Sequence, residues 1–271
     1  MLAVQSGQRG PRRQSWRARL RKLVLRALPA LVVLAVWELG SGTLVDPFFF
    51  SKPSIIFARL IRPDEWNAAL NLQVTLTEML AGYAIGAVLG VGLGYLLGYY
   101  RRLSSFVEPY ILAFYAVPRI ALAPLLIIWL GIGIYSKVFM AAVMVFFMVF
   151  YNTHLGIRSV NQEYLNLARI MGATERNVVH RIVLPFIAPY IMLGLRASVP
   201  RTVIGAIVAE FVASRAGIGY YILRATGSFD AAGQFIGVIV LLAFTFLAAT
   251  ILSAIEARAL RWTRISSSRS H

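Results

Sequence analysis

Residues 72–99, LQVTLTEMLAGYAIGAVLGVGLGYLLGY, decide the fold of this chain. They contain one charged residue, Glu78, and about 20 predominantly apolar residues are enough for a helix to cross a bilayer. Small residues at every fourth position let helices approach closely in lipid, so the repeat predicts helix packing within the subunit. A role in a solute path or at a subunit interface is the alternative. The repeated residues are Gly82, Gly86, Gly90, Gly94 and Gly98.

Further apolar runs extend this pattern at residues 24–44, 106–131, 135–157, 187–212 and 233–255. Hydrophobic residues make up 59% of the 271 positions, which is more than one soluble core of this length can bury. We therefore predict an all-α membrane protein with about six transmembrane helices. The first run resembles a secretory signal, but its apolar part is long and no cleavage pattern follows, so we expect an uncleaved anchor.

Lysine and arginine are distributed unevenly between the two sides of the predicted membrane. Eighteen of the 27 lie on the side of the two termini, six lie on the opposite side and three lie within spans. Basic residues accumulate on the cytoplasmic side, so both termini are predicted to be cytoplasmic, and the charge of +16 does not indicate nucleic acid binding. The predicted segments are a basic amino-terminal segment 1–23, a transmembrane domain 24–257 with a cytoplasmic loop 158–185, and a cytoplasmic tail 258–271.

The cytoplasmic loop 158–185 is predicted to hold two short amphipathic helices separated by Gly172. The first covers residues 161–170. The second opens at Thr174, a suitable N-cap, with Glu175 in its first turn, and we expect it to end before the span at Leu184-Pro185. Such a unit has an apolar edge and nothing of its own to cover it, so we expect it to dock on something else.

The spacing within this loop resembles the cytoplasmic signature of ABC importer permeases: Glu-Ala-Ala, three residues, Gly, nine residues, Ile, one residue, Leu-Pro. The chain has NLA at 166–168, then Gly172, then IVLP at 182–185, so the spacing from glycine to Leu-Pro matches in full. Asn166 stands in place of the glutamate, and Glu163, one helical turn earlier, is expected to supply a carboxylate to the same face. An ordinary repacked loop is the alternative.

Other stretches resemble the nitrate, sulfonate, taurine and thiamine-precursor branch of that family. They are WEL at 37–39, VPRIALAPL at 117–125, WLG at 129–131, AE at 209–210 and GIGY at 217–220. The resemblance covers residues 30–258 and implies the type I ABC importer permease fold in a bacterial inner membrane. It also implies a path for a small solute, either a sulfonate-, nitrate- or taurine-like anion or a heteroaromatic compound similar to a thiamine precursor.

The same resemblance implies the partners of the chain. These are a second permease copy, most simply forming a homodimer, two cytoplasmic ABC ATPase subunits, and a periplasmic or lipoprotein substrate-binding protein. In this family the loop is the coupling helix that sits in a groove of the ATPase. The resemblance assigns the ATPase contact to Glu163, Asn166, Ala168, Arg169, Gly172, Ala173, Ile182, Leu184 and Pro185.

Several chemical functions have no support in the sequence. Its lysines are Lys22, Lys52 and Lys137 and none follows a glycine, so the phosphate-binding loop GxxxxGK[ST] is absent. The chain is therefore predicted to be no enzyme and to bind no cofactor, with ATP and Mg²⁺ used by the partner ATPase. Cysteine is absent and the three histidines have no ligand spacing, so no metal site is predicted. An ATP-independent channel or secondary transporter is the alternative function.

Charged residues within the apolar spans are candidates for the solute path. A mid-membrane arginine costs about 2.5 to 3.5 kcal/mol, so such groups are expected to face protein, water or each other. Arg119 lies between two prolines on a span that we expect to be broken, and it either lines the central path or forms an ion pair with a glutamate such as Glu210. The candidate path residues are Pro118, Arg119, Pro124, Arg201 and Glu210.

Overall fold

The computed structural model describes residues 16–260, and their regular structure is helical except for one isolated bridge between Ser41 and Val45. The predicted segments 1–23 and 258–271 lie mostly outside these residues. The helices are Trp16–Gly40 (α1), Pro53–Leu60 (α2), Ala68–Tyr99 (α3), Arg101–Ala116 (α4), Ala123–Leu130 (α5), Ile134–Arg158 (α6), Gln162–Ile170 (α7), Glu175–Val178 (α8), Leu184–Ala213 (α9), Ile218–Gly227 (α10) and Ala231–Ala259 (α11).

Four helices within residues 16–260 are long and apolar enough to cross a membrane. They are α3, α6, α11 and a continuous helix that runs from α8 into α9, Glu175–Ala213. The pair α4 and α5 makes a fifth span if taken together, and it is bent by 84° at the predicted break. The apolar part of α1, Leu28–Gly40, is shorter than a full span within the described residues. The predicted all-α membrane fold is confirmed.

Helix α6 lies at the centre of the bundle, with α3 and α9 packed along it. The five-glycine strip of α3 faces α6. A Cβ atom at Gly90 would lie 2.8 Å from Cβ of Val149, and one at Gly94 would lie 2.8 Å from the carbonyl oxygen of Phe150. A real Cβ atom could not lie this close to either atom, so the two backbones approach as they do because these positions carry no side chain.

The contact between α6 and α9 also depends on glycine, at positions that no sequence repeat revealed. Gly194 of α9 lies against Asn152, where an added Cβ would be 2.9 Å from the Asn152 Cβ. Gly205 lies against the backbone of Ala141, at 2.9 Å from its Cα. The central helix is therefore held closely on two sides.

A layer of short elements covers the end of the bundle opposite α7, which the basic residues identify as the external end. It consists of α2, a 3₁₀ turn at Pro63–Trp66, α10 and the start of α11. Two hydrogen bonds join Arg59 to Asp230, from Nη1 to Oδ1 at 2.7 Å and from Nη2 to Oδ2 at 2.9 Å. The buried side chains of this layer include Ile56, Trp66, Ile218 and Ile236.

Candidate functional site

The cytoplasmic loop contains the two predicted helices, and a side chain caps each of them. The Asn161 side chain accepts a hydrogen bond from the Glu163 N–H at 2.8 Å, and Oγ1 of Thr174 accepts one from the Asn177 N–H at 3.4 Å. Between the helices Gly172 has φ of +85°, and nothing lies within 4 Å of an added Cβ. Glycine is therefore needed here for its backbone conformation and not for space.

The second helix does not end at Leu184-Pro185, which corrects the prediction. A π-helical turn, Val179–Val183, joins α8 to α9, and the Leu184 N–H donates to the Val179 carbonyl five residues earlier. Pro185 has no N–H to donate, and the wider turn accommodates this missing donor. The loop therefore continues into a membrane span as one helix of 39 residues.

The inner face of the loop packs on the cytoplasmic ends of the spans. Leu165 and Val178 are buried there, against Ile157 of α6 and Ile187 of α9. This cluster seats α7 and α8 firmly on the bundle. The residues of the predicted ATPase contact that are partly buried against it are Ala168, Ala173, Ile182 and Leu184.

The outer face of α7 is apolar and exposed. Tyr164 is 67% exposed, Leu167 54%, Ile170 83% and Met171 79%. Exposed apolar groups of this size, grouped on one short helix, indicate an interaction surface. We call these four residues the outer row. The recurring apolar residues of the second loop helix, Val178 and Ile182, instead pack on the bundle, so the edge predicted there is covered within the subunit.

Polar contacts beside the outer row link α7 to α8. Arg169 forms an ion pair with Glu175, Nε to Oε1 at 2.7 Å, and donates to Oδ1 of Asn166 at 3.2 Å. The Tyr99 hydroxyl also donates to Glu175, at 2.7 Å. The hydrogen bonds from Arg169 and Tyr99 lower the pKa of Glu175. The carboxylate that binds Arg169 is thus that of Glu175. Glu163 is exposed one turn before Asn166, and its contribution to the same face stays a prediction.

In the part of the chain that the structure describes, the candidate path residues share no hydrogen bond or ion pair through their side chains. The guanidinium of Arg119 lies over the rings of Tyr115 and Phe147, 4.8 and 5.3 Å from their centroids. Within residues 16–260 it makes no ion pair, so the alternative prediction of a pair with Glu210 is wrong. The remaining exposed members of the set are Pro118, Pro124 and Arg201.

Glu210 is fully buried at the external end of α9 and organises the turn into α10. Its Oε1 accepts a hydrogen bond from the Thr75 hydroxyl at 2.6 Å, and its Oε2 accepts one from the Gly219 N–H at 2.5 Å. Thr75 in turn accepts from the Ile218 N–H at 2.8 Å. A carboxylate that binds the first amides of α10 is favourable for that helix. Glu210 therefore joins α3, α9 and α10.

Glu78, the one charged residue of the span 72–99, belongs to a second buried cluster at the external end, and its partners there were not predicted from the sequence. Nζ of Lys137 lies 2.7 Å from Oε1 of Glu78 and donates to Oγ of Ser214 at 2.8 Å. The side chains of Lys137 and Glu78 are only 9% and 1% exposed. A cavity of about 610 Å³ opens beside them. Within the described residues no three His, Asp or Glu side chains are grouped as metal ligands.

Comparison with known proteins shows the family of this chain. Residues 82–261 match the family described as binding-protein-dependent transport system inner membrane component. The chain belongs to that family. The permease is 32% identical to the formylaminopyrimidine transport permease protein ThiX of Halalkalibacterium halodurans, over 86% of this chain and 94% of ThiX. It is 30% identical to the riboflavin transport system permease protein RibX of Chloroflexus aurantiacus, over 86% and 87% of the two chains.

A solved structure supports the fold. One chain from the inward-facing MetNI methionine ABC transporter aligns with the permease at a TM-score of 0.63 and 18% identity, covering 73% of the permease and 98% of that chain. At this identity the likeness concerns the fold alone. The family and the relatives establish that the chain is a permease subunit of a binding-protein-dependent transport system, located in the inner membrane. The ATP-independent alternative is not favoured.

Proposed function

We propose that α7 is the surface through which a separate ABC ATPase subunit drives this permease. The observation that carries the proposal is the contrast between the two faces of the loop. Leu165 and Val178 hold the loop against the bundle, while the outer row is exposed at the cytoplasmic end. A helix that is firmly seated on one face and apolar on the other suits docking in a groove.

The continuous helix provides the mechanical link from this surface to the membrane. Its 39 residues correspond to about 58 Å at 1.5 Å per residue, enough to cross the bilayer. A push on the loop at Gly172 would tilt α9 as a unit, because no break separates α8 from α9. Closure of the ATPase would thereby open the solute path alternately outward and inward.

The proposed complex contains two copies of the permease, most simply a homodimer, and two ATPase subunits that bind and hydrolyse ATP with Mg²⁺. A periplasmic or lipoprotein binding protein delivers the solute. The family description, which names binding-protein-dependent transport, and the likeness to the MetNI transporter support this composition.

For the solute, we propose a small nitrogen-containing heteroaromatic compound. ThiX and RibX are named for formylaminopyrimidine and riboflavin, which share this chemistry. Arg119, held over two aromatic rings at the break between α4 and α5, is the candidate for solute contact.

Uptake by proteoliposomes with the cognate binding protein tests the proposed heteroaromatic solute. A pyrimidine should be taken up in preference to a sulfonate. Uptake of the sulfonate alone would contradict the proposal.

The ATPase surface is tested by copurification. Leu167→Asp with Ile170→Asp places two carboxylates in the outer row, and we expect the detergent-solubilised variant to lose its cognate ATPase subunit. Leu44→Asp is the matched control, because Leu44 is 87% exposed in the external loop. Retention of the ATPase by the double variant, at the level of the control, would show that α7 is not the docking surface.

A further inference from the structure

A basic cavity lies at the cytoplasmic end, next to α7 but separate from the outer row. It has a volume of about 300 Å³ and lies where α3 ends, α4 begins and α6 ends. Four arginines from three elements line it, together with tyrosine and glutamine side chains. The polar lining residues are Tyr99, Tyr100, Arg101, Arg102, Arg158, Gln162 and Arg169.

The positive charge of this cavity is only partly compensated. Arg158 lies 3.4 Å from Glu108, and Arg169 is paired with Glu175. In contrast, no carboxylate among residues 16–260 pairs with Arg101 or Arg102. Two guanidinium groups therefore remain to attract an anion.

The backbone adds to this attraction. Helix α4 begins at Arg101, and no side chain caps its amino terminus at Tyr100. The first amides of a 16-residue helix point outward there and favour a negative charge. Arg101 and Arg102 are the first two residues of this helix, so their side chains and the terminal amides together favour an anion with several acceptor oxygens.

The position of the cavity favours a lipid as the source of that anion. Three helices begin or end around it, so it lies at the level where a span leaves the bilayer. Tyr99 and Tyr100 sit beside it, as aromatic residues commonly do at the interface between membrane and water. Basic pockets between helices on the cytoplasmic side are suited to lipid headgroups.

We propose that this cavity binds the phosphate group of an anionic phospholipid from the cytoplasmic leaflet. Guanidinium groups bind phosphate through paired, charge-assisted hydrogen bonds, and Arg101 and Arg102 supply the free ones. Because Arg169 of α7 also lines the cavity, the lipid would contact the loop that moves during transport.

Native mass spectrometry of the detergent-solubilised permease tests the proposal. Phosphatidylglycerol and phosphatidylcholine are titrated against the wild-type chain and against Arg101→Gln with Arg102→Gln. At about 1 kcal/mol for each basic residue, the double variant should bind phosphatidylglycerol roughly 30-fold more weakly. The matched control, Arg176→Gln with Arg181→Gln, removes the same charge from exposed arginines of the loop and should bind as the wild type does.

A second arm distinguishes the two sources of phosphate. Inorganic phosphate at millimolar concentration should neither displace phosphatidylglycerol nor raise the melting temperature, whereas phosphatidylglycerol should raise it for the wild type and the control. Stabilisation by inorganic phosphate alone would overturn the lipid assignment. Equal binding of the two lipids, or an unchanged affinity in the double variant, would overturn the site itself. Size-exclusion chromatography verifies that every variant is folded.

Discussion

The two ends of the continuous helix Glu175–Ala213 lie in different environments. At the cytoplasmic end the loop presents Leu167 and Ile170 to solvent, and its ion pair between Arg169 and Glu175 is exposed. At the external end Glu210 is fully buried and binds the first amides of α10. One end is built to be contacted, and the other is built to stay fixed.

This difference separates function from stability along a single helix. Changes at the external end should lower the stability of the permease, because they leave buried polar groups without their partners. Changes at the cytoplasmic end should leave the fold nearly unchanged and affect the response to the ATPase.

The largest effect is expected from Lys137→Met, which leaves Glu78 buried without its cation. Removing one partner of a buried ion pair costs about 3 to 5 kcal/mol, so the melting temperature in detergent should fall strongly. The double variant with Glu78→Gln removes the uncompensated charge and should recover part of the loss. An unchanged melting temperature for Lys137→Met would mean that the pair does not hold α3 to α6.

Glu210→Ala should have the next largest effect. It removes the acceptor of the Thr75 hydroxyl and of the Gly219 N–H, and unsatisfied buried donors cost about 1 to 3 kcal/mol. The melting temperature should fall, and hydrogen exchange should increase at the start of α10. Glu163→Ala, at an exposed position of α7, is the control and should change neither quantity.

Gly172→Val tests the cytoplasmic end. A β-branched side chain at φ of +85° adds roughly 1 to 2 kcal/mol of local strain, which α7 can relieve by shifting its position. We expect a small change in melting temperature but a marked loss of ATP-driven uptake. The same substitution at Gly133, where an added Cβ also meets no atom within 4 Å and φ is 179°, should preserve uptake. Normal uptake by Gly172→Val would contradict the coupling role of the loop.

The smallest effect concerns the external pair of Arg59 and Asp230, where the hydrogen bonds from Arg59 lower the pKa of Asp230. The stabilisation, roughly 1 kcal/mol, is present above the ordinary aspartate pKa of about 3.9 and is lost as pH falls through the lowered pKa. Asp230→Asn keeps a cap for the Gly233 N–H but lacks the charge. The difference in melting temperature between the two proteins should be constant near pH 7 and disappear in acid.

Local features of the fold could be predicted from the sequence, whereas contacts between distant residues could not. The glycine repeat of α3 and the spacing after Gly172 are local patterns, so the close helix contact and the two loop helices follow from them. The pair of Glu78 and Lys137 joins residues 59 positions apart, and it depends on how two helices are aligned. Apolar periodicity does not specify that alignment, and the same holds for the bond between Thr75 and Glu210.

The continuation of α8 into α9 was mispredicted for a related reason. A proline usually marks a helix boundary, but here the π-helical turn before Pro185 accommodates its missing N–H within the continuous helix. This turn has no signature in the sequence, although the mechanical role of the loop depends on it.

The most direct test of this coupling mechanism interrupts the continuous helix without altering either end. Two glycines inserted after His180 break the π-helical turn, and two inserted after Leu44 in the external loop are the control. Copurification with the ATPase subunit and ATP-driven uptake into proteoliposomes are measured on both proteins. We predict that the helix insertion retains the ATPase and loses uptake, whereas the control retains both. Uptake by the helix insertion at the rate of the control would contradict transmission through this helix.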